Sequence, residues 1–121
     1  MVAGARKEGL SRRHRFALQG AFGPVLRSPR KIRGTLALLH VASGRPGISR
    51  LGIALTRRVT PSSVQRNRIK RIVRETFRAH PVKAAGLDLV LALRAKLAPE
   101  AGPAFRAEVR SLLDQALAKG R

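Results

Sequence analysis

Between Pro61 and Pro81 the sequence runs PSSVQRNRIKRIVRETFRAHP, a pattern that fits an α-helix with two opposed faces. At 100° per residue Ile69, Ile72, Val73, Thr76 and Phe77 share one side, while Arg66, Lys70, Arg74 and Arg78 form a ladder at four-residue spacing with Asn67 and Arg71 beside it. Ser62 and Gln65 stand at capping-box spacing, Pro61 suits the start, and His80-Pro81 closes the helix. One side must be buried in a core. The other sets like charges a single turn apart, at a cost of roughly 0.2–0.5 kcal/mol per pair, and an anionic partner would relieve that repulsion. A basic amphipathic helix alone also fits a solvated face, a calmodulin target or a membrane binder.

The composition narrows those choices. The chain of 121 residues carries 26 Lys plus Arg against 6 Asp plus Glu, a formal net charge of +20. Ordinary solvated surfaces intersperse both signs, so this imbalance points to a polyanion, and nucleic acid is the natural one. Twenty of the cations are Arg, whose planar guanidinium suits bidentate phosphate contacts. A membrane surface fits less well, since the chain has no Trp and the helix no long exposed apolar face. Neither an 18-residue apolar run nor a secretory signal is present, so a cytoplasmic protein is expected. With no Cys there are no disulfides, thiolate metal sites or cysteine nucleophiles. Three His and six acids, scattered along the chain, provide poorly for a self-sufficient hydrolytic site.

The apolar fraction, 44%, suffices for one compact domain. Residues 1–10 read as a flexible basic arm and 11–121 as a single RNA-binding domain. The arm also resembles an organelle transit peptide, against which Glu8 and its shortness count. Ser11 caps a first helix over 12–22, containing Phe16, Leu18 and Phe22; Gly23-Pro24 and Ser28-Pro29 end it, and a basic loop or short edge strand follows to Gly34. Strands are expected at 35–42 and 50–57, paired as a hairpin, and a third at 88–94. In the second, Leu51, Ile53 and Leu55 alternate with Gly52, Ala54 and Thr56, so one face is nearly bare: covered by a helix, or open for a ligand. A final helix reaches about Ala118, with Phe105, Val109, Leu112, Leu113, Ala116 and Leu117 at helical spacing; Phe77 and Phe105 belong to the core. The order helix-strand-strand-helix-strand-helix gives an α/β (α+β) two-layer sandwich with a small sheet, similar to ribosomal proteins.

The string Arg66-Asn67-Arg68-Ile69-Lys70-Arg71, followed by Arg74 and preceded by a strand ending in Arg57-Arg58, resembles the signature of the bacterial ribonuclease P protein component, and the element order matches over nearly the whole chain. The resemblance implies a left-handed crossover from the second strand through the basic helix to the third. It also implies a non-catalytic protein subunit of an endoribonuclease: the RNA subunit cuts the 5′ leader from precursor tRNA and holds most of the Mg²⁺, with no organic cofactor, no protein catalytic or metal-binding residue, and one protein per RNA. By the same resemblance Arg57, Arg58, Arg66, Asn67, Arg68, Lys70, Arg71 and Arg74 contact the RNA subunit. Phe16 lines a cleft, formed with the sheet, that holds the single-stranded leader. Stacking a base on such a ring is worth about 1–3 kcal/mol with little sequence preference. The place of a second cleft aromatic is taken by Gly20, which leaves Phe22 and the strand residue His40 as its substitutes. Pro61-Ser62-Ser63 departs from the family's usual Gly-Asn or basic pair at that turn. A ribosomal or other structural rRNA-binding protein would share the size and charge. A nuclease acting alone would need paired carboxylates, a histidine pair or a phosphate-cradling glycine loop, none of which the sequence shows.

Overall fold

The computed structural model describes residues 22–119. The arm at 1–10 and the expected first helix lie outside these residues, apart from Phe22. That residue opens a five-residue helix, α1 (Phe22–Leu26). Gly23-Pro24 therefore sits inside a helix rather than ending one. Pro24 falls in the first turn, where its missing N–H leaves no intrahelical bond unmade. After α1 come β1 (Lys31–Arg33), β2 (Ala37–Ser43), β3 (Arg50–Ala54), α2 (Ser63–Arg78), a 3₁₀ turn at Pro81–Ala84, β4 (Leu87–Leu93), a second 3₁₀ turn at Pro99–Ala101 and α3 (Gly102–Lys119).

The four strands lie in the order β1-β2-β4-β3. β1 and β2 are antiparallel, β2 and β4 are antiparallel, and β3 runs parallel to β4. The hairpin expected between β2 and β3 does not form, because β4 inserts between them. Leu87 to Leu91 of β4 are buried on both sides of the strand, which suits a central place, whereas β3, with Gly52 and Ala54 on one side, suits an edge. The hairpin is instead β1-β2. Parallel pairing of β3 with β4 makes α2 a crossover connection.

Alternation sorts the sheet into two faces. Ile32, Ala37, Leu39, Val41, Leu51, Leu87, Leu89 and Leu91 join Ile69, Ile72, Val73 and Phe77 of α2 and Phe105, Val109, Leu112, Leu113 and Ala116 of α3 in one buried cluster. Both expected core rings, Phe77 and Phe105, are fully buried there. Each large side chain so placed contributes about 1.5–3 kcal/mol. On the other face α1 packs against β2 and β4, with Val25 and Val90 buried, while Leu38, Ala54 and Ala92 stay half-exposed. The bare face is thus covered in part and open in part.

Polar side chains tie the layers together. Buried Ser49 donates to the Val82 carbonyl at 2.6 Å and accepts from the Leu87 N–H at 3.0 Å, joining the start of β3 to the turn before β4. Gly86, which leads into β4, has φ +76°, and a Cβ there would come within 3.0 Å of the Arg45 carbonyl oxygen.

Candidate nucleic-acid interface

The α2 helix starts where Ser62 accepts a hydrogen bond from the Gln65 N–H at 3.3 Å. The capping box is only half made, because the Gln65 amide donates instead to the Leu97 carbonyl at 3.0 Å and pins the segment before α3. At the far end His80 is buried. Its Nδ1 accepts from the Val82 N–H at 3.0 Å, which leaves the proton on Nε2, 2.6 Å from Asp114 of α3. With both ends fixed and Ile69, Ile72, Val73 and Phe77 in the core, the orientation of the remaining side chains is set.

Arg66, Lys70, Arg74, Asn67, Arg78 and Arg71 follow one another round α2 over an arc of about 140° centred away from the core. Asn67 and Arg71 are exposed, and the other four half-buried along their stems. The arc holds five of the expected contact residues together, with Arg57 and Arg58 apart from it. Those two are exposed in the turn that follows β3. Arg66 links the two groups: its Nη1 donates to the carbonyls of Thr60 at 2.8 Å and Pro61 at 3.0 Å, bracing the segment that carries Arg57 and Arg58. Arg68 does not belong with them. It lies about 60° beyond Arg71 on the α3 side, where its Nη1 donates to the Pro99 carbonyl at 2.8 Å. A side chain at Gly102 would meet its Nη2 at 2.7 Å. Arg66, Asn67, Lys70, Arg71 and Arg74 are the expected contact residues brought together, and Arg78, the last member of the sequence ladder, lies among them.

Most acids among the described residues are engaged away from the arc. Asp88 pairs with Arg50 through two bonds of 3.0 and 2.7 Å, holding the guanidinium charge above its ordinary range by hydrogen bonding. Asp114 is bonded to His80, and Glu75 lies 3.6 Å from Arg106 of α3. Glu108 accepts from three successive backbone N–H groups, Thr35 at 3.2 Å and Leu36 and Ala37 at 2.7 Å. Among the described residues only Glu100 remains, exposed beside α3. Sequence reasoning missed the role of Glu108, since nothing local relates it to residues more than 70 positions away.

Of the expected cleft residues, Phe16 lies outside the described residues and Phe22 is placed by its backbone alone. His40 stands on the outer face of β2, opposite Lys31 of β1 and Val90 of β4. It is only 7% exposed, and its Nδ1 has no hydrogen-bond partner among the described residues. Burial first, and the Lys31 ammonium second, lower its pKa below the usual 6.5. The imidazole is thus enclosed on the outer face of the sheet. Among the described residues no three His, Asp or Glu side chains converge to hold a metal ion, and no helix is long and apolar enough to cross a membrane.

The ribonuclease P family model matches residues 10–117. The chain is 36% identical over 90 residues to the ribonuclease P protein component of Blochmanniella floridana, covering 74% of this chain and 75% of that one. It is 38% identical over 91 residues to that of Stutzerimonas stutzeri, covering 74% and 70%. The fold resembles the RNase P protein from Thermotoga maritima, with TM-score 0.65 at 25% identity over 87% of this chain and 96% of that one. It also resembles the Staphylococcus aureus RNase P protein, with TM-score 0.63 at 20% identity over 89% and 95%. A basic crossover helix braced on a four-stranded sheet, in a chain matched over nearly its full length, places this protein in the ribonuclease P protein component family.

Proposed function

We propose that this chain is the protein subunit of a ribonuclease P. It binds the RNA subunit and the 5′ leader of precursor tRNA, one protein per RNA, in the cytoplasm, and so assists endonucleolytic release of the mature tRNA 5′ end. The observation that carries this reading is the division of α2: Ile69, Ile72, Val73 and Phe77 are buried on one flank, and Arg66, Lys70, Arg71 and Arg74 project from the other. Such a face grips phosphates without selecting bases, which suits a structured RNA docked by its backbone. Arg57 and Arg58 extend the same cationic surface to the end of β3.

Hydrolysis itself belongs to the RNA subunit, with Mg²⁺ held mainly by that RNA and supplying Lewis-acid and nucleophile-activating chemistry there. The donor set of the protein fits this division, because Glu75, Asp88, Glu108 and Asp114 are engaged with its own cations, His80 or backbone N–H groups. The protein lowers the Mg²⁺ requirement by contributing positive charge where RNA strands converge. Mixing it with a bacterial ribonuclease P RNA at low Mg²⁺ tests the reading. Leader removal should be restored, and failure to stimulate at any salt concentration removes the idea.

A further inference from the structure

We propose that β1 carries a second phosphate-contacting ridge, Lys31 and Arg33, that holds the distal part of the single-stranded leader where it has crossed the outer face of the sheet. The proposal rests on the subunit reading above. It begins from alternation: Ile32 enters the core, so Lys31 and Arg33 project from the opposite face, and both are exposed. Neither has a carboxylate partner among the described residues. They stand two residues apart, about 6.6 Å along the strand, a span that suits neighbouring phosphates of an extended chain.

The position of this ridge separates it from the α2 arc. β1 and β3 are the two edges of the sheet, roughly 14 Å apart at the usual strand spacing. Both long helices pack on the core face, whereas Lys31 and Arg33 point from the other. An RNA docked on α2 would therefore not reach them. Between the edges runs one row across the strands, Arg33-Leu38-Ala92-Ala54. Leu38, Ala92 and Ala54 are half-exposed and mostly small, and beyond Ala54 the chain turns into Arg57 and Arg58. The row is a shallow floor with cations at both ends. It has the width of an extended single strand and lies beside α1, which packs on the same face.

The ridge is also held rigid. Glu108 fixes the β1-β2 turn through the N–H groups of residues 35 to 37, Arg94 Nη1 donates to the Gly34 carbonyl at 2.7 Å, and the Gly34 N–H bonds the Ala37 carbonyl at 2.8 Å. A Cβ at position 34 would collide with the Glu108 carboxylate. The turn is thus built to place β1, and β1 has two exposed cations to place.

The test uses the full chain assembled with ribonuclease P RNA, and the double variant Lys31→Ala/Arg33→Ala. Binding is measured across a salt series for precursor tRNA with a long leader, precursor with a leader too short to cross the sheet, and mature tRNA. The variant should bind the long-leader precursor several-fold more weakly and flatten its logarithmic salt dependence by about 1.4, two single-strand contacts. Short-leader precursor, mature tRNA and the RNA subunit should bind as before, and Lys31→Arg/Arg33→Lys should restore the slope. An unchanged slope with the long leader overturns the proposal, as does equal weakening of mature tRNA or loss of affinity for the RNA subunit, which would assign β1 to docking on that RNA. Absence of leader removal by the unaltered protein overturns the subunit reading itself, and this proposal with it.

Discussion

Glu108 shows how much a single side chain can hold in a chain with few acids. Its carboxylate accepts bonds from three consecutive N–H groups, of which those of Leu36 and Ala37 are the shortest at 2.7 Å. Replacing it with Ala removes the acceptor while the donors stay half-enclosed, so the expected loss is about 1–3 kcal/mol. Urea unfolding should show a lower midpoint with an unchanged slope, and Glu108→Gln should lose less. His40 supplies a pH dependence of definite sign. Because burial and Lys31 lower its pKa in the folded protein, the unfolded chain takes up a proton more readily as pH falls below 6.5. Stability tied to the neutral ring is therefore complete above 6.5 and is lost as pH falls from there through the folded-state pKa. Denaturation midpoints from pH 7.5 down to 5 should fall more steeply for the parent protein than for His40→Asn; parallel curves would show that His40 is not the group responsible.

Among the elements, α2 was the most legible from sequence and is the most consequential. Its period, its Ser62 cap and its His80-Pro81 end all lie within twenty residues, so local information decides them. Phe77→Ala, which empties a fully buried site, should cost about 3–5 kcal/mol in an unfolding titration. If Lys70, Arg71 and Arg74 each meet a phosphate, an Ala at any of them should reduce the logarithmic salt slope for the RNA subunit by about 0.7–0.9. Arg66→Ala should do more, because it also releases the carbonyls of Thr60 and Pro61 and loosens the segment bearing Arg57 and Arg58. Slopes that do not move in any of the four variants would place the RNA elsewhere. Strand pairing was the least legible feature. The β2 and β3 segments are neighbours in sequence, and proximity suggests a hairpin, but pairing follows burial over the whole sheet, and β4 is buried on both faces. Arg68 shows the same limit within the site. Its place in the string matches its neighbours, yet the α3 start draws it to the Pro99 carbonyl, a contact made only after the layers meet.

At the scale of the molecule the fold turns two groups of the described cations away from each other. The α2 arc faces outward from the helical layer, and the cations of β1 face outward from the sheet. The protein can therefore stand between two RNA segments, each held through its backbone. The central claim is that the outer flank of α2 lies against the RNA subunit. The chain has no native Cys, so a single introduced thiol can carry a tethered iron probe. Val64, 77% exposed on the outer flank of α2, and Gln115, exposed on α3, are sites whose substitution leaves the core intact. Hydroxyl-radical cleavage of ribonuclease P RNA in the assembled particle should be strong and confined to a few neighbouring nucleotides from Val64→Cys, and weak from Gln115→Cys. Strong local cleavage from Gln115→Cys with none from Val64→Cys would contradict the account.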